Sequence, residues 1–259
     1  MDALSLNVLA AGSLRSVWRP LMQVFTQQTG IAVNSQFGPA GLLRQRIEQG
    51  ESVDLFASAN LAHPQSLLAQ GLAQGVASFT RNRLCLTVRR GLKPEHSDWL
   101  EYLRDRTLRI GTSTPLADPS GDYAWQLFAR IEQQHPGLGE QLRQLALPLV
   151  GGAQSAPVPE GELAAAWLIR SNQCDMFIGY ASYGRRLAAC ADLQLIAIPE
   201  DDNIQADYAL AQCSAKAAPN DHGALVASRL PRSRFDREAG PRARRETRRR
   251  PARRFRQFE

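Results

Sequence analysis

The sequence predicts an α/β protein of two lobes, each a mostly parallel sheet flanked by helices, with a ligand cleft between the lobes. Three observations predict it. Extended apolar runs alternate with helical periodicity through the first 70 residues and again after residue 99. Two extended runs, Leu84–Val88 and Leu193–Pro199, bracket the second α/β unit and read as crossings between the units. The turns after the early strands are built from Gly, Ala, Ser and Pro. In open α/β sheets ligands bind at those carboxyl ends.

Taken in order, Leu4–Ala10 is an apolar strand that runs into Ala10-Ala11-Gly12-Ser13. A helix follows to Thr29, with Leu14, Val17, Trp18, Leu21 and Phe25 on one face. Ser13 stands where an N-cap belongs, so its hydroxyl and the free N–H groups of the first turn face the region above the strand. Gly30 closes the helix. Ile31–Phe37 alternates as a strand, and Gly38-Pro39-Ala40-Gly41 turns into a helix over Leu42–Gln49. Val53–Ala57 is a short strand, and Ala57-Ser58-Ala59-Asn60 leads into a third helix ending near Gln70.

Residues 71–81 carry two glycines and read as a break. The second unit has helix Trp99–Leu103, strand Leu108–Gly111, loop Thr112–Asp118 and helix Pro119–Gln134. Asp118 is its expected N-cap, Pro119 sits at the first helical position, and Ser120 presents its N–H. Leu138–Leu145 is helical, a Gly- and Pro-containing loop follows, then helix Gly161–Ser171 and strand Met176–Tyr180. Tyr208–Cys213 alternates weakly. The first lobe is then residues 1–81 and 193–220, the second 82–192, and 221–259 a basic tail without a fold of its own.

Composition sets that tail apart. Residues 229–259 hold 13 Arg against four acids, so the whole-chain charge of +6 conceals a mildly acidic body. From Pro231 onward there is no Leu, Ile or Val, too little apolar surface to bury. A shifted reading frame in a GC-rich gene would give such a stretch. No apolar run approaches the roughly 18 residues that a membrane-spanning helix needs. Met1-Asp2 leads almost directly into the first strand, with no secretory leader pattern, so either a cytoplasmic protein or one whose leader lies outside this sequence is expected. Cys85, Cys174, Cys190 and Cys213 lack metal-site spacing and read as buried apolar residues; in an exported protein Cys174 could pair with Cys190. The scattered His63, His96, His135 and His222 argue against a zinc site or a Ser-His-Asp hydrolase. The cleft residues offer no nucleophile–base pair, so no enzyme, cofactor or resident metal is expected.

The loop chemistry points to an anion. Gly12, Ser13, Ala40, Gly41 and Ser58 from the first lobe, and Ser120, Gly121 and Tyr180 from the second, supply hydroxyls and backbone N–H groups. Lys is absent from these loops and no Arg falls in the tight turns. Neutral donors at helix N-termini suit a fully ionised tetrahedral oxyanion, which only accepts hydrogen bonds. A phosphate that keeps a proton needs an acceptor, which Asp118 or Asp122 could supply.

Ala10-Ala11-Gly12-Ser13-Leu14, the stretch from Phe37-Gly38-Pro39-Ala40-Gly41 to Gly50, and Asp54-Leu55-Phe56-Ala57-Ser58-Ala59 resemble the substrate-binding proteins of molybdate ABC transporters. The resemblance continues through Arg81-Asn82-Arg83-Leu84, Asp118-Pro119-Ser120-Gly121, Asp175–Tyr180 and Ile196–Glu200, covering roughly residues 4–213. It implies a type II periplasmic binding fold that closes on molybdate or tungstate, docks to a membrane permease and works as a periplasmic monomer with no specific nucleic-acid partner. Ser13 takes the place of the family's first serine and Tyr180 that of its tyrosine. Ala40 stands where the family has a second serine, so one hydroxyl is missing, and Ser120, in the place of the family's small second-lobe residue, is expected to compensate by donating from the other wall. A helix N-terminus near Glu160–Leu163 is expected to add a further N–H. The alternatives are a cytoplasmic oxyanion sensor and a receptor for sulfate or phosphate.

Overall fold

The computed structural model describes residues 5–93 and 98–213. The expected tail, residues 221–259, and His96 and His222 lie outside the described residues. The chain order is β1 (Ser5–Ala11), α1 (Arg15–Thr29), β2 (Ala32–Gly38), α2 (Ala40–Glu48), β3 (Leu55–Ser58), α3 (Ala62–Ala69) and β4 (Ala73–Arg89). The second unit adds α4 (Trp99–Arg104), β5 (Ile110–Ser113), α5 (Pro119–Gln134), α6 (Leu138–Leu145), β6 (Leu147–Val150), α7 (Ala164–Arg170), β7 (Met176–Tyr180), α8 (Gly184–Ala188), β8 (Leu193–Ala197) and β9 (Gln205–Cys213). Among the described residues no helix is long and apolar enough to cross a membrane.

One 17-residue strand, β4, joins the two lobes. Its first half pairs antiparallel with β9, and the first lobe's sheet runs β2-β1-β3-β9-β4. Its second half, from Leu84, pairs antiparallel with β7 on one side and β8 on the other, and β7-β5-β6 completes the second sheet. The outer pairs are parallel, as helical crossovers demand, but every pair that involves β4 or β9 is antiparallel. The sheets are therefore evenly mixed rather than mostly parallel. The reason is that β4 leaves the first lobe and β9 returns to it.

Two boundaries differ from the sequence reading. Residues 71–81 are not a break, because β4 begins at Ala73; β9 supplies the backbone partners that its Gly- and Ser-containing sequence does not advertise. Leu193–Pro199 is not the return crossing, because Leu193–Ala197 pairs with Cys85–Arg89 inside the second sheet. The return falls at residues 198–204, where buried Asn203 clamps the hinge. Its Oδ1 accepts from Leu84 N (3.0 Å) and Ile204 N (2.8 Å), and its Nδ2 donates to Leu84 O (2.8 Å). β6 and α8 have no counterpart in the sequence reading, and α7 starts at Ala164, three residues after the predicted Gly161.

The core of the first lobe explains its sequence signatures. Trp18, Met22 and Phe25 line the buried face of α1, Leu14 extends it from the turn before the helix, and Trp18 Nε1 donates to Ser35 Oγ on β2 (3.0 Å). Gly30 ends α1 at φ 74°, a conformation that costs a side-chain residue. Asp54 ties three strands: its Oδ2 accepts from Asn7 N (2.7 Å), its N–H donates to Asn7 O, and its carbonyl accepts from Cys213 N. All four cysteines are free thiols, so the Cys174–Cys190 pairing is not formed.

Candidate functional site

The turns that follow β1 and β2 in the first lobe meet those that follow β5 and β7 in the second. At the centre is a chain of hydrogen bonds between hydroxyls. Tyr208, on β9, donates its phenol proton to Ser13 Oγ (3.0 Å) and accepts from Asn82 Nδ2 (3.2 Å). Asn82, on β4 at the crossing, also donates to Ser182 Oγ (2.9 Å), and its Oδ1 accepts from Ser182 N (3.2 Å) and Arg83 N (2.9 Å). Ser182 lies in the turn that follows Tyr180. The Tyr180 and Tyr208 rings are 5.9 Å apart. The two phenols sense each other but fall short of hydrogen-bond geometry, which leaves the buried Tyr180 Oη with no partner among the described residues.

Ser13 is not the N-cap of α1. It sits inside a 3-10 turn, Gly12–Leu14, and the helix proper starts at Arg15 without a side-chain cap. Its hydroxyl is occupied by Tyr208, 195 residues later in the chain, so local reading cannot find its partner. Neither Tyr208 nor Asn82 stands out as a site residue in the sequence. The available signals are an asparagine within a strand, where such residues are depleted, and a tyrosine on a buried face whose hydroxyl must find a partner.

The other expected donors divide. Gly12 is exposed and Ala40 is buried at the start of α2. Gly41 N–H donates to Ala117 O across the cleft (2.8 Å). Ser120 N–H donates to Asp118 Oδ1 (3.1 Å) and Gly121 N–H to Asp118 O (2.8 Å). These three N–H groups are thus already bonded within the protein, and the expectation that they stand free toward a ligand is corrected. Ser58 is buried, donates to Asn60 Oδ1 (3.1 Å) and accepts from Asn60 N (3.2 Å), completing its own turn. Asn60 in turn accepts from His63 N and opens α3. The N-terminus of α7, the further expected contributor, has Leu163 at its cap position and no side-chain cap.

Burial dominates the electrostatics. The phenols of Tyr180, Tyr183 and Tyr208 are pushed well up by loss of water, and the Asp118 carboxylate adds to the shift in each case. They remain protonated donors at every physiological pH. Burial raises Asp118 itself to about 6, against the stabilising bonds from Ser120 N–H and the Ser113 hydroxyl. Cations stand at the rim: Arg15 from the first lobe and Arg186 from the second both act on Tyr183. Arg15 lies over the Phe37 ring, 5.3 Å from its centroid. Among the described residues no group of three or more His, Cys, Asp or Glu is placed to hold a metal ion.

Comparison with known proteins decides the family. The family described as bacterial extracellular solute-binding protein matches residues 6–227. The chain belongs to that family. An uncharacterized protein of Pasteurella multocida strain Pm70 is 46% identical over 213 residues, spanning 82% of this chain and 88% of its own. The fold is that of the periplasmic molybdate-binding protein of Azotobacter vinelandii, with a TM-score of 0.70 at 21% identity over 91% of this chain and 97% of the other. It is also that of the sulfate-binding protein SubI of Mycobacterium tuberculosis, with a TM-score of 0.65 at 16% identity over 92% and 82% of the two chains. In this solute-binding protein the hydroxyl chain and the buried Tyr180 phenol lie where the two lobes meet.

Proposed function

We propose that this chain is the solute receptor of an ABC importer and that it binds a tetrahedral oxyanion between its lobes, molybdate or tungstate foremost. The observation that carries the reading is the direction of the hydroxyl chain. Tyr208 spends its proton on Ser13 Oγ, so the proton of the half-buried Ser13 is left to donate elsewhere, and the buried Tyr180 Oη, which leans only on the Tyr208 hydroxyl, has no regular acceptor among the described residues. Buried donors left unmet cost about 1–3 kcal/mol each, a cost an incoming anion removes. Arg15 and Arg186 at the rim attract an anion without contributing a counter-ion to the bound state. Asp118 is committed as the cap of α5, which favours an ion that brings no proton of its own over protonated phosphate. The receptor acts as a periplasmic monomer that delivers its ion to a membrane permease.

The test is a thermal-shift screen of the purified protein with molybdate, tungstate, sulfate and phosphate. At ligand 100-fold over its Kd, mass action stabilises the bound form by about 2.7 kcal/mol. Molybdate and tungstate are expected to give the largest shifts. No shift with any of the four sinks the reading.

A further inference from the structure

We infer that Asn82 is a positioning residue that sets the hydrogen-bond polarity of the ligand site, fixing it as a donor to acceptor-only oxyanions. The inference rests on the reading of the cleft as an anion site and adds the group that controls it. Asn82 is buried at 7% exposure, at the point where β4 passes from one lobe to the other. Its orientation is not free. Two backbone N–H groups, Ser182 and Arg83, point at one side-chain atom, which must therefore be the carbonyl oxygen. The other atom is then the NH2 group, and its two protons go to Ser182 Oγ and Tyr208 Oη. Tyr208 Oη accepts a hydrogen bond from the amide and directs its own proton to Ser13 Oγ. The Ser13 proton is what remains, and a hydroxyl that already accepts a bond is a stronger donor.

The same amide reaches both lobes. Through Tyr208 it orients Ser13 in the first, and through Ser182 it holds the turn that follows Tyr180 in the second. An aspartate at this position would keep the bonds from Ser182 N and Arg83 N. It would also accept the Tyr208 proton, and Ser13 would then turn its own proton inward to Tyr208. The substitution N82D would thus preserve the fold of the hinge and reverse the direction of the site.

The test measures molybdate and sulfate affinities calorimetrically, with thermal stability alongside, for the full chain and for N82D, N82A, Y208F and N82D/Y208F. A purely structural role ranks N82A below N82D in both stability and binding, since alanine loses every bond. The polarity role separates the two readouts: N82D is the more stable variant, yet its affinity falls about tenfold or more against about threefold for N82A. Y208F cuts the chain and weakens binding about threefold, and in that background the N82D penalty shrinks at least about threefold, the part that remains reflecting the added charge. Affinity in N82D equal to or better than N82A, an N82D penalty unchanged by Y208F, or wild-type affinity in Y208F overturns the inference. If the wild-type protein binds neither anion, the anion reading itself fails. If it binds them and the couplings are absent, only the role of Asn82 fails.

Discussion

Two helix N-termini face each other across the cleft, and both carry a Pro followed two residues later by a Gly. Gly38-Pro39-Ala40-Gly41 opens α2 in the first lobe, and Asp118-Pro119-Ser120-Gly121 opens α5 in the second. Of the two positions that differ, Gly38/Asp118 and Ala40/Ser120, the first decides how the N–H groups are satisfied. Asp118 caps α5 and takes the Ser120 and Gly121 N–H groups through its side chain and its carbonyl. No side chain caps α2, and Gly41 finds its acceptor on the other lobe, at Ala117. A helix start with an internal cap is a finished structural unit, whereas one without a cap is completed by whatever approaches it. In this molecule the approaching group is the opposite lobe, so the α2 start is completed from outside its lobe and the α5 start from within its own.

Alanine at the two glycines tests that contrast. A Cβ on Gly121 would fall 2.5 Å from Ser113 O and 2.6 Å from Pro115 N, all within one lobe, where the backbone cannot give. G121A is expected to cost roughly 2–3 kcal/mol and to lower Tm by roughly 5–10 °C in a melting experiment. A Cβ on Gly41 would clash with Leu116 O and fall 2.6 Å from Ala117 O, but those atoms belong to the other lobe, which can swing away. G41A is therefore expected to leave Tm of the ligand-free protein nearly unchanged and to weaken anion binding about tenfold, because the closed form is penalised. Equal Tm losses in the two variants would erase the distinction.

Asp118 gives an effect between these two in size. Its carboxyl holds a proton up to about 6 in the folded chain, against 3.8 for a free side chain, because burial disfavours the charge and Asp122 adds to it. Between those values the folded state binds the extra proton. The group's stabilising contribution is thus complete below the lower value and is lost as pH rises through the higher one. Asn caps a helix as well as Asp does, without the buried charge. D118N should gain about 2 kcal/mol near pH 7.5 and nothing near pH 4, after allowance for the partial exposure of the residue. Melting curves across that range check it; a gain independent of pH contradicts the burial argument. The smallest effect is at Ser58, whose hydroxyl serves only its own turn. S58A should cost about 1 kcal/mol of stability and leave anion affinity within about twofold of wild type.

The contrast also shows what the sequence can reveal. The ends of α5, α6 and β7 coincide with the predicted Pro119–Gln134, Leu138–Leu145 and Met176–Tyr180, because caps and apolar runs there are local signals. The first half of β4 is not legible. Its polar and Gly-containing sequence becomes a strand only because β9 lies alongside. Leu193–Ala197 is legible as extended but not as to which sheet it joins, a choice made by pairing with β4. At the site, Ser13 and Tyr180 stand out by position. The Tyr208 bond to Ser13 and the Asn82 bonds to Tyr208 and Ser182 span 100 residues or more, beyond the reach of spacing arguments. That the Ser120 and Gly121 N–H groups are consumed follows directly from Asp118 being the cap.

The most direct test of the account is the calorimetric affinity of S13A for molybdate beside that of the wild-type protein. Removing the one hydroxyl whose proton the Tyr208 chain directs into the cleft should weaken binding about tenfold or more while leaving Tm within a few degrees of wild type. An unchanged affinity would contradict the claim that this hydroxyl chain forms the anion site.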